Sequence, residues 1–394
     1  MNPTPARALE TAIRGRRYAA VPGLVGEFGG ATATAYQVGA CRALETALGL
    51  SPSRQSESAR RLLCCAAWIE WHTAHIHLVQ APEFLGCANV TELARREPAA
   101  VARGLALHQI GADLAEAMGR DAFGSPAVQV GGFRPPPDRS RLARLRLQMD
   151  DAVIAAYETV HWVSGFDFPD SVLDVPLLAL DDPVSGPSGH GRSSYPLDGG
   201  IGVLTTSGLG FPLADFESFV SRPRATTAQP TRAALRGVKA VLTGPLARHA
   251  LCAQALHPAA QNAARGAGLV RSERNPYRSV LIRAVELVHA LEEATELIDR
   301  YEPPPPPSKP STGPHPDRGF AAIESPSGLV YQRYDLAADG TVATALLVGA
   351  GELNRATVEL DLRRTVRDAM RREPGIDSTR LAALRATLAD VYQS

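Results

Sequence analysis

The sequence predicts a mainly α-helical protein with small peripheral β-sheets. Apolar stripes at helical spacing run through residues 56–80, 138–165 and 275–298. Strand-like alternation is confined to short stretches, at 128–133 and 324–348. Hydrophobic residues make up 45% of the 394 positions and charged residues 21%, enough apolar side chain for an extensive core.

Composition also narrows the function. Lys plus Arg and Asp plus Glu both number 41, so the chain lacks the basic footprint of a nucleic-acid binder. The longest apolar run, Val342–Val348, falls far short of the ~20 residues of a membrane span. Met1 to Arg7 lacks the apolar core of a signal peptide. Five cysteines, Cys41, Cys64, Cys65, Cys87 and Cys252, are odd in number and lack C-x-x-C spacing, which argues against a disulfide framework. The cytoplasm is the expected compartment.

In chain order, residues 5–20 read as a short amphipathic helix. Residues 21–32 read as loop-like through their repeated glycines, and a helix follows with Tyr36, Val38, Cys41, Leu44 and Leu48 near one face. Over 56–80 the stripe is Leu62, Cys65, Ala66, Ile69, His72, Thr73, Ile76 and Val79, with Pro82 ending the helix. Thr91 is the expected N-cap of a helix to about 118, which Pro98 either interrupts or divides. Residues 128–133 form a short strand closing on a glycine pair. The helix over 138–165 buries Leu142, Leu145, Met149, Val153, Ala156, Val160 and Val163. A Gly/Pro/Ser-rich stretch, 180–200, reads as a mobile loop. Asn275 opens a helix to about 298. The Pro-rich stretch 302–317 is an extended internal loop. Residues 324–334 form a strand that returns after a turn at 337–340 as 341–348, and a last helix covers about 377–391.

Three local patterns tempt a chemical reading. Cys65, His72 and His75 on one helix are candidate zinc ligands, but a fourth ligand is missing, and buried histidines satisfied by hydrogen bonds are the better reading. Ser188 and His190 lack the strand–elbow–helix setting of an activated serine. The glycines at 349 and 351 imitate a dinucleotide loop whose third glycine position holds Asn354. None of the three carries an activity.

Several longer motifs agree on one family. Gly30, Tyr36, Gln37, Ala43, Leu44 and Glu45, then Pro82-Glu-Phe-Leu-Gly86, Val130-Gly-Gly-Phe133, Gly244-Pro-Leu-Ala-Arg248 and Asn275-Pro-Tyr-Arg-Ser279 resemble [NiFe]-hydrogenase large subunits in collinear order. The resemblance is to the soluble NAD(P)-linked and sulfhydrogenase branch. It covers about residues 7 to 392 and implies one large-subunit-like domain over 1–394, with long helices around the site. In that family, the frame here occupied by Glu27, Gly29 and Thr32 carries an Arg and two metal-binding Cys. Glu10 falls at a proton-relay Glu; with no site to serve, a solvated surface residue is the expected reading. Ser327 stands where an Arg hangs over the metals, and no serine supplies its charge or forked donors. Gln332 stands at a family His. The family's second Cys pair would follow the last residues present.

A nickel–iron centre needs four thiolates, and none of the five cysteines matches a ligand position. The expectation is therefore a centre lost, with no catalytic residues and no metal. The chain is read as a non-catalytic homologue acting through protein contacts, with an iron–sulfur small subunit or a hydrogenase maturation protein as partner. The alternative is a subunit of a hydrogenase-type oxidoreductase complex that reuses a nickel-free cavity. A decayed gene product is the third reading.

Overall fold

The computed structural model describes residues 6–120, 127–182, 194–222, 232–310, 317–372 and 392. Helix α1 (Ala6–Ile13) leads into α2 (Val21–Gly29), a single 3₁₀ turn, and α3 (Ala33–Ala47). The loop expected before the glycines is thus helical. Pro22 sits in the first turn of α2, where a missing N–H costs nothing. Val21 and Val25 are fully buried, and the glycines serve packing: a Cβ on Gly26 would lie 1.7 Å from Gln37 Nε2 on α3.

Helix α4 (Arg54–Ala74) is capped by Ser53, whose Oγ accepts from Ser56 N at 3.1 Å. It does not stop at Pro82. Residues His75–Gln80 continue it as a π-helix, and Pro82 opens the one-turn α5 (Ala81–Phe84). Next come α6 (Val90–Arg96) and α7 (Pro98–Ala117), divided at Pro98. The cap of α6 is Asn89 rather than Thr91. Asn89 Oδ1 accepts from Glu92 N at 3.0 Å, while Glu92 reaches back to Ala88 N at 2.8 Å. Strands β1 (Val128–Gln129) and β2 (Gly132–Phe133) form a minimal hairpin, followed by α8 (Arg139–Ser164), capped by Asp138.

The remaining strands are small and antiparallel. Strands β3 (Leu178–Asp181), β4 (Gly202–Thr205) and β5 (Gly210–Pro212) make one sheet. The ends of the stretch expected as a mobile loop, 180–200, are built into the fold: Leu180 and Asp181 pair in β3, and Tyr195, Leu197 and Asp198 are buried. Its centre, including Ser188 and His190, lies outside the described residues. The short α9 (Phe216–Phe219) precedes a two-stranded ribbon of β6 (Val220–Ser221) and β7 (Ala234–Leu235). Then come α10 (Pro245–Cys252), α11 (Pro258–Gly266) and α12 (Ser279–Asp299). Residues 302–310 carry no helix or strand, as the prolines require, and Ser308 N donates to Gly131 O at 3.0 Å. Strands β8 (Arg318–Ser325), β9 (Gly328–Leu336) and β10 (Val342–Val348) form the largest sheet, in the order β10–β9–β8. The stretch read as one strand from 324 is a hairpin turning at Pro326 and Ser327. Helix α13 (Ala350–Arg372) follows, and the helix expected at 377–391 lies outside the described residues.

The core is built from helices. Helix α12 packs between α4 and α8, and α7 lies on α4 and α8. Seventeen of the twenty-one residues of α12 are buried, so its polar side chains must find partners inside the protein. The β8–β10 sheet packs on α3, which approaches closely because Gly319 has no Cβ: one placed there would meet Ala43 O at 1.8 Å. No helix among the described residues is long and apolar enough to cross a membrane.

Candidate functional site

The buried polar residues of α12 nucleate the most charged interior of the molecule. Glu286 is fully buried and accepts from Arg248 Nε at 2.7 Å and Nη2 at 2.9 Å, and from Tyr195 Oη at 2.6 Å. Arg248 reaches onward from α10 to Glu324 on β8 at 2.9 Å, and stacks over Trp68, 4.5 Å from the ring centroid. Burial opposes the charge on Glu286, but Arg248 and His72 outweigh it and hold the carboxyl far below its usual range. Glu324 goes the other way. Burial pushes it up to about 7, only partly countered by Arg248.

His72 completes this cluster. Its Nε2 lies 3.1 Å from Glu286 Oε2, and its Nδ1 faces Arg283 Nη1 at 3.4 Å. A neutral ring with its proton on Nε2 fits both neighbours, and burial pushes the ring down to about 4. His72 is thus a core histidine, as expected, although its Nε2 meets Glu286 at close range without an aligned hydrogen bond. His75 is also buried, but its Nε2 has no hydrogen-bond partner among the described residues. A second ionic chain runs beside the first: Arg61 pairs with Glu293 and, at 2.6 Å, with Asp198, while Arg60 grips Glu45 at 2.5 Å. Glu45 also accepts from Gly131 N at 2.6 Å, tying α3 to the β1–β2 turn.

The residues singled out by resemblance lie on separate elements: α1, α2 with the turn after it, and the β8–β9 turn. Glu27 is exposed, and Gly29 and Thr32 are half-buried on neighbouring turns, where Thr32 Oγ1 donates to Gly29 O at 2.7 Å. Ser327 is buried at the β8–β9 turn, against Thr243 and Gly244. Glu10 corrects its expected reading. It is largely buried rather than solvated: it pairs with Arg222, accepts from Leu347 N at 2.8 Å, and Arg222 continues to Glu352 at 2.9 Å. An amphipathic eight-residue helix gave no sign of this, because Arg222 lies 212 positions away. Gln332 donates from Nε2 to Tyr36 O at 2.9 Å and accepts from Tyr334 Oη at 2.7 Å, so it works as a structural amide.

Near Ser327 lies a cavity of about 20 Å³, lined by Thr243, Leu246, Ser279, Arg283, Ser327 and Asn354 among others. It has room for about one water. A nickel–iron centre would require soft thiolates around a metal. All five cysteines are buried in packing, and burial pushes the Cys41 thiol up to about 12. Among the described residues no three His, Cys, Asp or Glu side chains are arranged to hold a metal ion. The described residues therefore do not fit that centre.

Known proteins share this architecture. No family model matches the chain. It is 21% identical over 265 residues to the alpha subunit of sulfhydrogenase 1 from Pyrococcus furiosus, a match covering 67% of this chain and 60% of that protein. It is 23% identical over 388 residues to a vhu subunit of the F420-non-reducing hydrogenase of Methanococcus voltae, covering 90% and 88% of the two chains. The structure matches an NAD+-reducing [NiFe]-hydrogenase with a TM-score of 0.81 at 18% identity, over 98% of this chain and 89% of that one. The Ni-Fe-Se hydrogenase of D. vulgaris Hildenborough matches at 0.68 and 15% identity, over 98% and 90%. The chain has the fold of a [NiFe]-hydrogenase large subunit, and its relatives are hydrogenase large or alpha subunits.

Proposed function

We propose that this chain is a non-catalytic homologue of the hydrogenase large subunit. In this reading it holds no nickel–iron centre and works through protein contacts, docking an iron–sulfur small subunit or a hydrogenase maturation protein. The supporting observation is a contrast between chemistry and framework. Glu27, Gly29, Thr32 and Ser327 offer neither thiolate nor guanidinium. The buried ion pairs Arg248–Glu286 and Arg61–Glu293 are closed on both sides. Random decay would break such pairs as readily as a metal loop, and each broken pair costs about 3–5 kcal/mol.

In the family the chain resembles, the helix here carrying Glu70 to His75 helps build the face that docks the small subunit, and its side chains fit that role. Trp71 is 37% exposed and Val79 39% exposed on the mostly buried α4 and its π-wound extension. A large aromatic left in solvent beside a buried framework is the kind of anchor that interfaces use. The alternative, a reused cavity, has less support: the roughly one-water space near Ser327 leaves no room for an organic cofactor.

The test is purification of the tagged protein from its own host, with metal analysis and identification of co-eluting chains. An iron–sulfur protein or maturation factor at fixed stoichiometry, lost in Trp71→Ala, is the expected result. One nickel per chain surviving a chelator wash would overturn the non-catalytic reading. A salt-insensitive monomer under every growth condition would overturn the partner.

A further inference from the structure

The cavity beside Ser327 is lined by three buried polar side chains that each keep a polar atom without a partner among the described residues. Arg283 is 4% exposed, yet no carboxylate lies within ion-pair distance of it among the described residues. Its nearest acid, Glu286, is already taken by both sides of the Arg248 fork. Arg283 Nη1 donates to Pro326 O at 3.0 Å, while Nε has no partner among the described residues. The hydroxyls of Ser279 and Ser327, both more than nine-tenths buried, likewise lack partners there. All three residues line the same space of about 20 Å³.

We propose that this cavity binds one monovalent anion of halide size, between the Arg283 guanidinium and the hydroxyls of Ser279 and Ser327. The surrounding field favours it. Ser279 opens the 21-residue α12, and Pro245, at the start of α10, lines the same space, so two helix N-termini face the cavity. A buried guanidinium without a counter-charge is costly, and an anion would supply that charge. A water could satisfy the two hydroxyls but would leave the charge uncompensated. The space admits about one water-sized particle, so a halide fits and a four-oxygen anion such as sulfate does not. Leu242, Pro245, Leu246 and Pro276 supply apolar wall, and Thr243, Asn354 and Tyr392 complete the lining. The inference does not depend on the docking role.

The test uses the full chain with bromide as the probe. Thermal unfolding is followed in sodium bromide, sodium gluconate and sodium sulfate at equal ionic strength, and crystals grown without halide are soaked in bromide. The expected result is a saturable rise in Tm with bromide alone, together with an anomalous peak between Arg283 and Ser327. Replacing Ser279→Ala and Ser327→Ala together should raise the half-saturating bromide at least about tenfold, because charge-assisted hydrogen bonds are lost. Arg283→Met should abolish the effect. The serine pair is the safer variant, since two small hydroxyls can be removed without disturbing the Arg248 cluster. Equal Tm in bromide and gluconate, a bromide response unchanged by the serine pair, or density for water only would each overturn the site.

Discussion

Arg248 and Glu286, 38 positions apart on two different helices, meet through two parallel hydrogen bonds of 2.7 and 2.9 Å with both side chains fully shielded from water. Such a fork gains geometric specificity from the planar guanidinium. Removing one partner strands the other as a buried charge. Arg248→Met should therefore lower unfolding stability by about 3–5 kcal/mol. Adding Glu286→Gln should recover part of that loss. A double variant as unstable as the sum of the two single ones would show that the residues act independently.

The buried histidines set the response to acid. Burial first, with neighbouring arginines next for His75 and His77, holds His72 at about 4, His77 at about 3, and His75 and His249 below their ordinary value. A base whose folded pKa is depressed stays neutral in the fold and takes its proton in the unfolded chain. Its contribution is therefore full above the unfolded value near 6.5 and is lost as pH falls toward the folded value. Glu324, pushed up to about 7, opposes this by one proton. Four histidines less one carboxyl leave a difference of up to three protons, a slope of up to about 4 kcal/mol per pH unit below pH 6.5. Urea unfolding at pH 7.5, 6 and 5 measures it. A midpoint that does not fall between pH 7.5 and 5 would contradict the burial of these rings.

Much of the helical frame was legible in the sequence because its signal is local. The stripe from Leu142 to Val163 delivered α8 within a residue at each end. Pro98 marked a real division. Elements failed where the deciding contact is distant. Val21 to Gly29 looked like a loop because its glycines are visible, while Gln37, the side chain that fills the space at Gly26, is recognisable only in three dimensions. The turn at Pro326 and Ser327 was hidden within apolar alternation. The family motif ending at Arg248 marked that residue but gave no hint that Glu286 pairs with it or that Tyr195 and Trp68 close around the pair. The missing counter-charge of Arg283 is invisible in sequence, since an arginine reveals it only once its neighbours are known.

Glycine spacing on α7 yields a sharper test of packing. A Cβ on Gly104 would lie 2.4 Å from the His77 ring, and one on Gly111 would lie 2.6 Å from Glu70 N. These positions, seven apart, let α4 and its π-wound end press directly on α7. By intrinsic propensity Gly111→Ala should stabilise a helix by about 1 kcal/mol. Here the clash is with backbone and cannot be relieved by a rotamer change, so a net loss of about 1–3 kcal/mol is expected. A Tm at or above that of the parent protein would show that α4 and α7 do not meet this closely.

Restoring thiols at the degenerate loop should not restore a metal site. Gly29 has an ordinary helical φ of −76°, so a side chain is conformationally allowed there, although its Cβ would sit 3.1 Å from Ala33 Cβ. Thr32 lies one turn further on, with its Oγ1 on Gly29 O. The double variant Gly29→Cys and Thr32→Cys would thus place two thiols on neighbouring turns. Two thiolates alone fall short of the four that a nickel–iron pair needs; Glu10 and Glu352 are committed to Arg222 and Glu45 to Arg60, and the exposed Glu27 offers only a hard oxygen donor. We expect less than about 0.1 nickel per chain after a chelator wash, measured by elemental analysis of the double variant purified from its host. Stoichiometric nickel would mean that other donors, from this chain or a partner, complete the site, and the non-catalytic reading would fall with it.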